Sequence, residues 1–459
     1  MYSPETSRHC VIIADYCRYI ESEHKELEPV DRQMRIFVGL TEVAGVYSRI
    51  VESLRLDGYP VSFSQLSQHP FYYPAENELS DYRYERFLKF PIDAKNQKIR
   101  VLLRIFFRLH LMVWAIRKFD VFVFVAGGSF LPKNIDLYLL RLFRKRIVSH
   151  IGHGSEARPA FMDGAHWSIA IQKDCPIRSI YKTTHRQQRH MRRIERLSTE
   201  LIASPLTSQF LSRRAISSGV LGVPCPKNSR TPVKESADIR TKSIKIVHAP
   251  SNRRAKGSDQ IAKMISVEST KHPNIEYVEL FNRSNAEVIR ELEDADLVID
   301  QLYSDTFLAG LGVEAASLGV PALVGNYGIG ILKNLYDSSL IPPAFVVHPT
   351  HIESKLSELL ENVNVLQEVG KCAKEFIQTR QSPKVVADRF IDIANGSFPD
   401  DWYFSPIEVS YIHGSGLAED ELVKICKDGL DTYGDKFFRL HNRLDLREEI
   451  YRLIEANGV

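Results

Sequence analysis

The feature that most constrains this chain is an alternation of apolar runs and amphipathic stretches that occurs twice. From Arg35 the run RIFVGL is followed by a turn, TEVAG, and then by VYSRIVESLRL, which stops at Gly58. A short unbroken apolar run suits a strand buried on both faces, and a 3.6-residue period suits a helix packed against it. The pattern continues through a helix over 98–118, the strand DVFVFVA, a helix near 135–143, the strand RIVSH, a basic helix near 185–197 and the strand ELIAS. A second series opens with IKIVHA. It runs through a helix after Gly257, the strand EYVEL, a helix started by Ser284 with Glu287 as a capping box, the strand LVI, the helix VEAASLG, the strand PALVG and helices within 352–395. Strand–helix alternation of this kind implies parallel sheets covered on both faces. Two such series joined by one aperiodic stretch predict an α/β protein of two Rossmann-like domains facing each other across a cleft.

The expected organisation is an extension over 1–32, a first domain over 33–216 with an irregular Tyr- and Pro-rich insertion at about 64–97, a linker over 217–242, a second domain over 243–399 and a helical tail over 400–459. The formal charge of +3 conceals an asymmetry. Residues 101–240 carry 24 Lys and Arg against 9 Asp and Glu, whereas 241–459 carry 23 against 33. The most apolar helical stretch, VLLRIFFRLHLMVWAI, is broken by Arg104, Arg108 and His110, so no membrane span is expected. With no signal pattern, and six cysteines in no disulfide or zinc-ligand spacing, the expected location is the cytoplasm. The basic, aromatic-bearing segments 98–118 and 141–146 read either as the buried face of a crossover helix or as a peripheral contact with an anionic membrane. No motif indicates nucleic-acid binding.

Ligands of open α/β sheets bind beyond the carboxyl ends of the strands, and three loops there carry chemistry. After IKIVHA, the loop PSNRRAKGSD sets Arg253, Arg254 and Lys256 beside a helix start. That arrangement suits a diphosphate, and equally a solvated basic turn. After LVI the chain reads DQLYSDTFLAGLGVEAASLG. Gly310 and Gly312 permit close backbone approach, the amides around Leu311 and Val313 face any anion there, and Glu314 sits on the first turn, where its carboxylate can accept two ribose hydroxyls or simply favour the helix start. In the first domain, SHIGHGSEAR follows RIVS and presents His150, His153, Ser155 and Glu156. The DAD at 294–296 precedes its strand and is not read as a metal site.

Taken together, HAPSNRRAKGSDQI, AEVIRELEDADLVIDQL and GVEAASLGVPALV resemble the C-terminal domain of retaining GT-B glycosyltransferases, the group that includes glycogen synthase and phosphatidylinositol mannosyltransferase. The likeness covers roughly 244–324 well and 35–203 more loosely. It implies a metal-independent hexosyltransferase without a cofactor, using a nucleotide diphosphate sugar as donor and a saccharide or lipid-linked acceptor in polysaccharide or glycolipid assembly. It further implies that Arg253 and Lys256, with Arg254 as an adjacent alternative, hold the donor diphosphate. Glu314 would hold the ribose, His153 would face the donor sugar, Gly45 would allow close approach, and Asp300 and Gln301 would face the donor site. Where the family usually has a second Glu, eight positions before the ribose-binding one, this chain has Thr306 with Asp305 beside it. That departure keeps open an inactive GT-B protein that binds a nucleotide, lipid or partner, or a sugar-nucleotide epimerase.

Overall fold

The computed structural model of the protein describes residues 34–66, 97–226 and 243–457. The expected extension at 1–32, nearly all of the insertion at about 64–97 and residues 227–242 of the linker lie outside them. The first series forms β1 (Ile36–Leu40), β2 (Val61–Gln65), β3 (Val121–Val125), β4 (Arg146–His150), β5 (Glu200–Ala203) and β6 (Ala215–Ser217). The second forms β7 (Ile244–His248), β8 (Ile275–Glu279), β9 (Leu297–Gln301), β10 (Ala322–Gly325) and β11 (Phe345–Val347), and a last short strand is β12 (Tyr403–Phe404). They make two sheets, ordered β12-β6-β5-β4-β3-β1-β2 and β11-β10-β9-β7-β8. Every pairing is parallel except that of β12 with β6. The protein therefore has a two-domain, Rossmann-like α/β architecture.

Burial on both faces explains the apolar runs. Ile36, Val38, Val121, Val123 and Val125 pack to one side of the first sheet, and Phe37, Phe122 and Phe124 to the other. In the second sheet Ile246, Leu297 and Ile299 pack on one side and Val247 and Val298 on the other.

The chain does not stay in the second layer to residue 399. Helix Pro383–Asn395 returns to the first domain, where Val386, Ala387, Phe390 and Ile391 join the core formed by Tyr47, Ile50, Val51 and Leu54 of helix Val46–Leu56. β12 then adds itself to the first sheet. The remaining segment holds helices Glu419–Tyr433 and Leu444–Ala456, and its Phe437 and Phe438 pack on Phe161. Among the described residues no helix is long and apolar enough to cross a membrane.

Phe390 is fully buried, with its ring edge-on to Tyr47 at 6.3 Å between centroids. Phe390→Ala should therefore lower the stability measured by urea unfolding by about 3–5 kcal/mol. The exposed, surface-paired Lys384 of the same helix should change it by less than about 1 kcal/mol when replaced by Ala.

Candidate functional site: a cleft between the two sheets

In the second sheet β7 lies between β8 and β9, so the connections leaving β7 and β9 part on opposite sides and open a crevice at their carboxyl ends. The loops after those strands meet the loops after β1 and β4 across a cleft of about 480 Å³.

From the second domain, the loop after β7 ends in a single helical turn, Arg253–Lys256, capped by Asn252, whose side chain accepts from the Ala255 amide at 3.0 Å, and closed by Gly257. Successive residues of one turn project about 100° apart, so the three cations separate. Arg253 turns to Glu279 and to Asp259 (2.7 Å), and Arg254 to Glu421 at 2.5 Å. Lys256 lines the cleft, its Nζ 3.5 Å from the buried Asp300 carboxylate at the end of β9. Of the three, Lys256 is the one whose side chain faces the cleft space.

The loop after β9 is fixed by its own polar groups. Gln301 donates to Ser304 Oγ (2.8 Å), Ser304 Oγ donates to the Thr306 carbonyl (2.8 Å), and Asn326 donates to the same carbonyl (3.1 Å). Gln301, Asp305, Thr306 and Gly310 line the cleft. The helix that follows begins at Gly310 rather than at Val313, and no side chain caps it. Its first-turn amides, those of Gly310, Leu311 and Gly312, are the intrinsically unpaired donors of a helix start; Val313 is already bonded to the Ala309 carbonyl.

Glu314 consequently sits past the first turn. It is buried behind the cleft wall, accepts from Asn285 Nδ2 at 2.8 Å and lies 3.9 Å from Arg49 of the first domain. Burial pushes its carboxyl up to about 7 against the pull of Arg49.

From the first domain, Gly45 adopts a left-handed conformation at the start of helix Val46–Leu56, and its neighbours Ala44 and Val46 line the cleft. This helix start is already occupied. The buried Glu42 carboxylate accepts from the amides of Val43 (2.7 Å), Tyr47 (3.1 Å) and Ser48 (2.7 Å). An anion from outside would meet a carboxylate there, which leaves the Gly310 end as the favourable pole.

His150 and His153 both line the cleft, their rings 4.2 Å apart. His150 is buried against the Tyr47 hydroxyl, whereas His153 is exposed at the cleft. Loss of solvation lowers both imidazoles, that of His150 strongly, so both are neutral at pH 7.

Several residues at this cleft carry no sequence signal. Arg158 is buried between Asp163 (2.6 Å) of its own domain and Asp305 of the other, joining the two across the cleft. Ser415, far along the chain, also lines it. Its carbonyl accepts from the Gly164 amide at 2.8 Å and its hydroxyl donates to the Ala255 carbonyl at 3.5 Å, so the C-terminal segment touches both domains at the rim.

Among the described residues no group of His, Cys, Asp and Glu is placed to hold a metal ion. Asp296 of the DAD segment accepts from the Lys245 amide at 2.9 Å, a structural role. Of segment 141–146, Arg146 is buried on β4 beside Glu200 (3.4 Å), and Lys145 lies 3.6 Å from Asp120. Arg141 and Arg144 remain exposed.

No protein-family model and no curated protein matches the chain. Solved structures similar to it include a glycosyltransferase from Rickettsia africae ESF-5 (12% identity, 81% of this chain and 100% of that one, TM-score 0.47). WaaG, a glycosyltransferase involved in lipopolysaccharide biosynthesis, is similar at 13% identity over 79% of this chain and 100% of that one, with a TM-score of 0.45. A third similar structure, reported as a "putative UDP-N-acetylglucosamine 2-epimerase from Listeria monocytogenes", has 11% identity over 79% of this chain and 96% of that one, with a TM-score of 0.42.

The rim contact makes a prediction. Gly416 has φ +69°, and a Cβ there would stand 2.5 Å from Ala255 Cα. Gly416→Ala should lower the melting temperature and speed amide exchange within 411–433; unchanged exchange there would mean that the loop does not depend on this contact.

Proposed function

We propose that the protein is a glycosyltransferase that moves a sugar from a nucleotide diphosphate sugar to a saccharide or lipid-linked acceptor, with retention of configuration. The observation that carries this reading is the pairing, at the β7/β9 crevice, of a cleft-facing Lys256 with the uncapped helix start at Gly310–Gly312. A diphosphate departing from the anomeric carbon gains negative charge, and fixed amides plus an ammonium in a partly water-excluded cleft stabilise that charge as it develops. Asp300 holds Lys256 near the cleft.

Arg253 and Arg254 are reserves in this reading. Each is engaged by a carboxylate and would have to exchange partners to reach a phosphate. His153, uncharged, offers a hydrogen bond to the sugar without competing for the phosphates. Thr306 and Asp305 stand on the same loop, and Asp305, shared with Arg158, supplies a carboxylate close to the position where the resembling enzymes carry their second Glu.

Lys256→Ala should reduce donor turnover at least tenfold with the fold intact, since a charged hydrogen bond contributes about 1.5–3 kcal/mol. Arg253→Ala and Arg254→Ala serve as the comparison. Normal turnover and donor affinity in Lys256→Ala, measured by release of free nucleotide, would remove the assigned diphosphate site.

Glu314 gives a pH signature. Its carboxyl is raised to about 7, so between its ordinary value near 4.5 and about 7 the folded chain holds more protons than the unfolded one, and ionisation over that window opposes folding. Ribose hydroxyls donating to the carboxylate favour the ionised form. Nucleotide binding should therefore tighten as pH rises through about 7 and level off above it, being weaker by about tenfold one unit below the midpoint. Titration calorimetry with a free nucleotide should show this step in the native protein and a flat profile in Glu314→Gln; the same step in both would place the ribose elsewhere.

A further inference from the structure

Helix Pro176–Leu197 has two unlike faces. Its inner face is a mixture of apolar and amide side chains, among them Ile180, Gln187, Gln188, Met191 and Ile194, all buried. Its outer face carries Arg178, Lys182, Arg186, Arg189, Arg192, Arg193 and Arg196. At about 100° per residue these seven cations fall within roughly a third of the circumference, in a stripe about 27 Å long. None of them forms an ion pair with any described residue. The helix's one carboxylate, Glu195, is turned inward, where it accepts from the amides of Ser212 (2.6 Å) and Arg213 (2.7 Å).

A stripe of that charge density, with no counter-ion among the described residues, makes a strongly positive surface suited to an extended anionic partner. Its carboxyl-terminal end shows what kind. Arg193 donates to the Lys133 carbonyl and Arg196 to the Tyr138 hydroxyl, which tie the stripe to helix Asp136–Leu142. There Ile135, Leu142 and Phe143 stand 52%, 75% and 55% exposed, with Arg141 and Arg144 exposed between and beside them. A soluble polyanion or a nucleic acid offers these apolar side chains nothing. A bilayer offers hydrocarbon for them and headgroup charge for the stripe in the same plane.

We infer that the outer face of helix Pro176–Leu197, together with the apolar knob at Ile135, Leu142 and Phe143, is a docking surface for an anionic phospholipid bilayer. This surface lies partly outside segments 98–118 and 141–146, and it excludes the buried Arg146. It also stands close to the cleft. From the inner face of the same helix, Gln187 donates to the carbonyls of Ser155 (2.7 Å) and Arg158 (3.0 Å), which hold the His153 loop. A docked helix therefore fixes the cleft loop beside the membrane, as a lipid-linked acceptor requires. The docking itself is independent of the donor chemistry.

The test is co-sedimentation of the full chain with phosphatidylcholine vesicles, with and without phosphatidylglycerol, across a salt series. The native protein should bind the anionic vesicles, ignore the neutral ones and release as salt rises. Replacing Arg178, Lys182, Arg189 and Arg192 together by Gln should weaken anionic binding at least about tenfold, at a melting temperature close to native. The double variant Leu142→Ser, Phe143→Ser should weaken it while preserving the salt dependence. If the combined Gln variant does not fold, the salt series and the Leu142, Phe143 variant still decide. The inference is overturned if the native protein shows no preference for anionic over neutral vesicles, if the folded Gln variant binds like the native one, or if single-stranded RNA displaces the vesicles and binds the Leu142, Phe143 variant undiminished.

Discussion

The candidate site depends on one buried carboxylate. Asp300 ends β9 with no solvent exposure, and a charge so placed is tolerated only when a cation and hydrogen bonds compensate its lost hydration. Lys256 supplies the cation, and the Ala309 amide, 3.4 Å from Oδ2, supplies a donor from the far side of the loop. These two contacts set the geometry of both second-domain loops. The Lys256 carbonyl accepts from the Leu302 amide at 3.0 Å, so the turn after β7 is fastened to the exit of β9. Ala309, fastened in turn, places the helix start at Gly310. The ion pair also divides the lysine's charge: part is spent on Asp300, so the amides at Gly310–Gly312 are needed to complete an attractive site for two phosphates.

How the two domains face each other follows from where the chain returns. Helix Pro383–Asn395 leaves the second layer and buries Phe390 against Tyr47 of the first, and Tyr47 in turn bonds His150 in the cleft. The same packing that ends the second domain therefore steadies a cleft residue of the first. Arg158 between Asp163 and Asp305, and the Tyr336 hydroxyl on Ser217, close the remaining sides. Apolar packing joins the domains as well: Leu206 and Ile151 of the first share one buried cluster with Phe307 and Leu332 of the second, so opening the cleft widely would cost buried contacts in addition to hydrogen bonds.

The alternation of strands and helices was legible because each strand is buried on both faces and so reads as an unbroken apolar run. Boundaries were less so. Helix Pro176–Leu197 was expected only from 185, because Pro176 reads as a break although the first helical position needs no amide hydrogen; the apolar spacing of Ile177, Ile180 and Tyr181 behind it was the signal that the helix starts earlier. The helix at Gly310 was expected from Val313 because glycine disfavours helices; here Gly312 is held close against Leu308, where a Cβ would come within 2.8 Å. Charge in the RRAK turn was legible, but its direction was not, since Glu279 and Glu421, which draw Arg253 and Arg254 away, come from distant parts of the chain. Arg158, Asp163 and Ser415 were invisible for the same reason: each matters only through a neighbour remote in sequence.

Helix Pro176–Leu197 shows how one element serves two surfaces without conflict. Its inner polar residues are not buried for stability alone, because an apolar side chain at 187 would leave the buried Arg158 carbonyl without this donor and the Ser155 carbonyl with only His166 Nε2, at 3.0 Å, beside it. Gln187 therefore ties the cleft loop to the helix, while Gln188 ties the helix to the C-terminal segment at the Arg439 carbonyl. The outer cations contribute nothing to either contact, so the outer face is free to vary in charge without disturbing the cleft. Seven cations on that face, with no carboxylate among them and no ion pair to any described residue, repel one another along the helix. The burden falls on the packing beneath, where Tyr181 stacks on Tyr433 at 4.2 Å and its hydroxyl accepts from Arg439 at 2.6 Å. The C-terminal segment thereby holds in place a helix whose own charges work against it, and the cleft loop rests on the result.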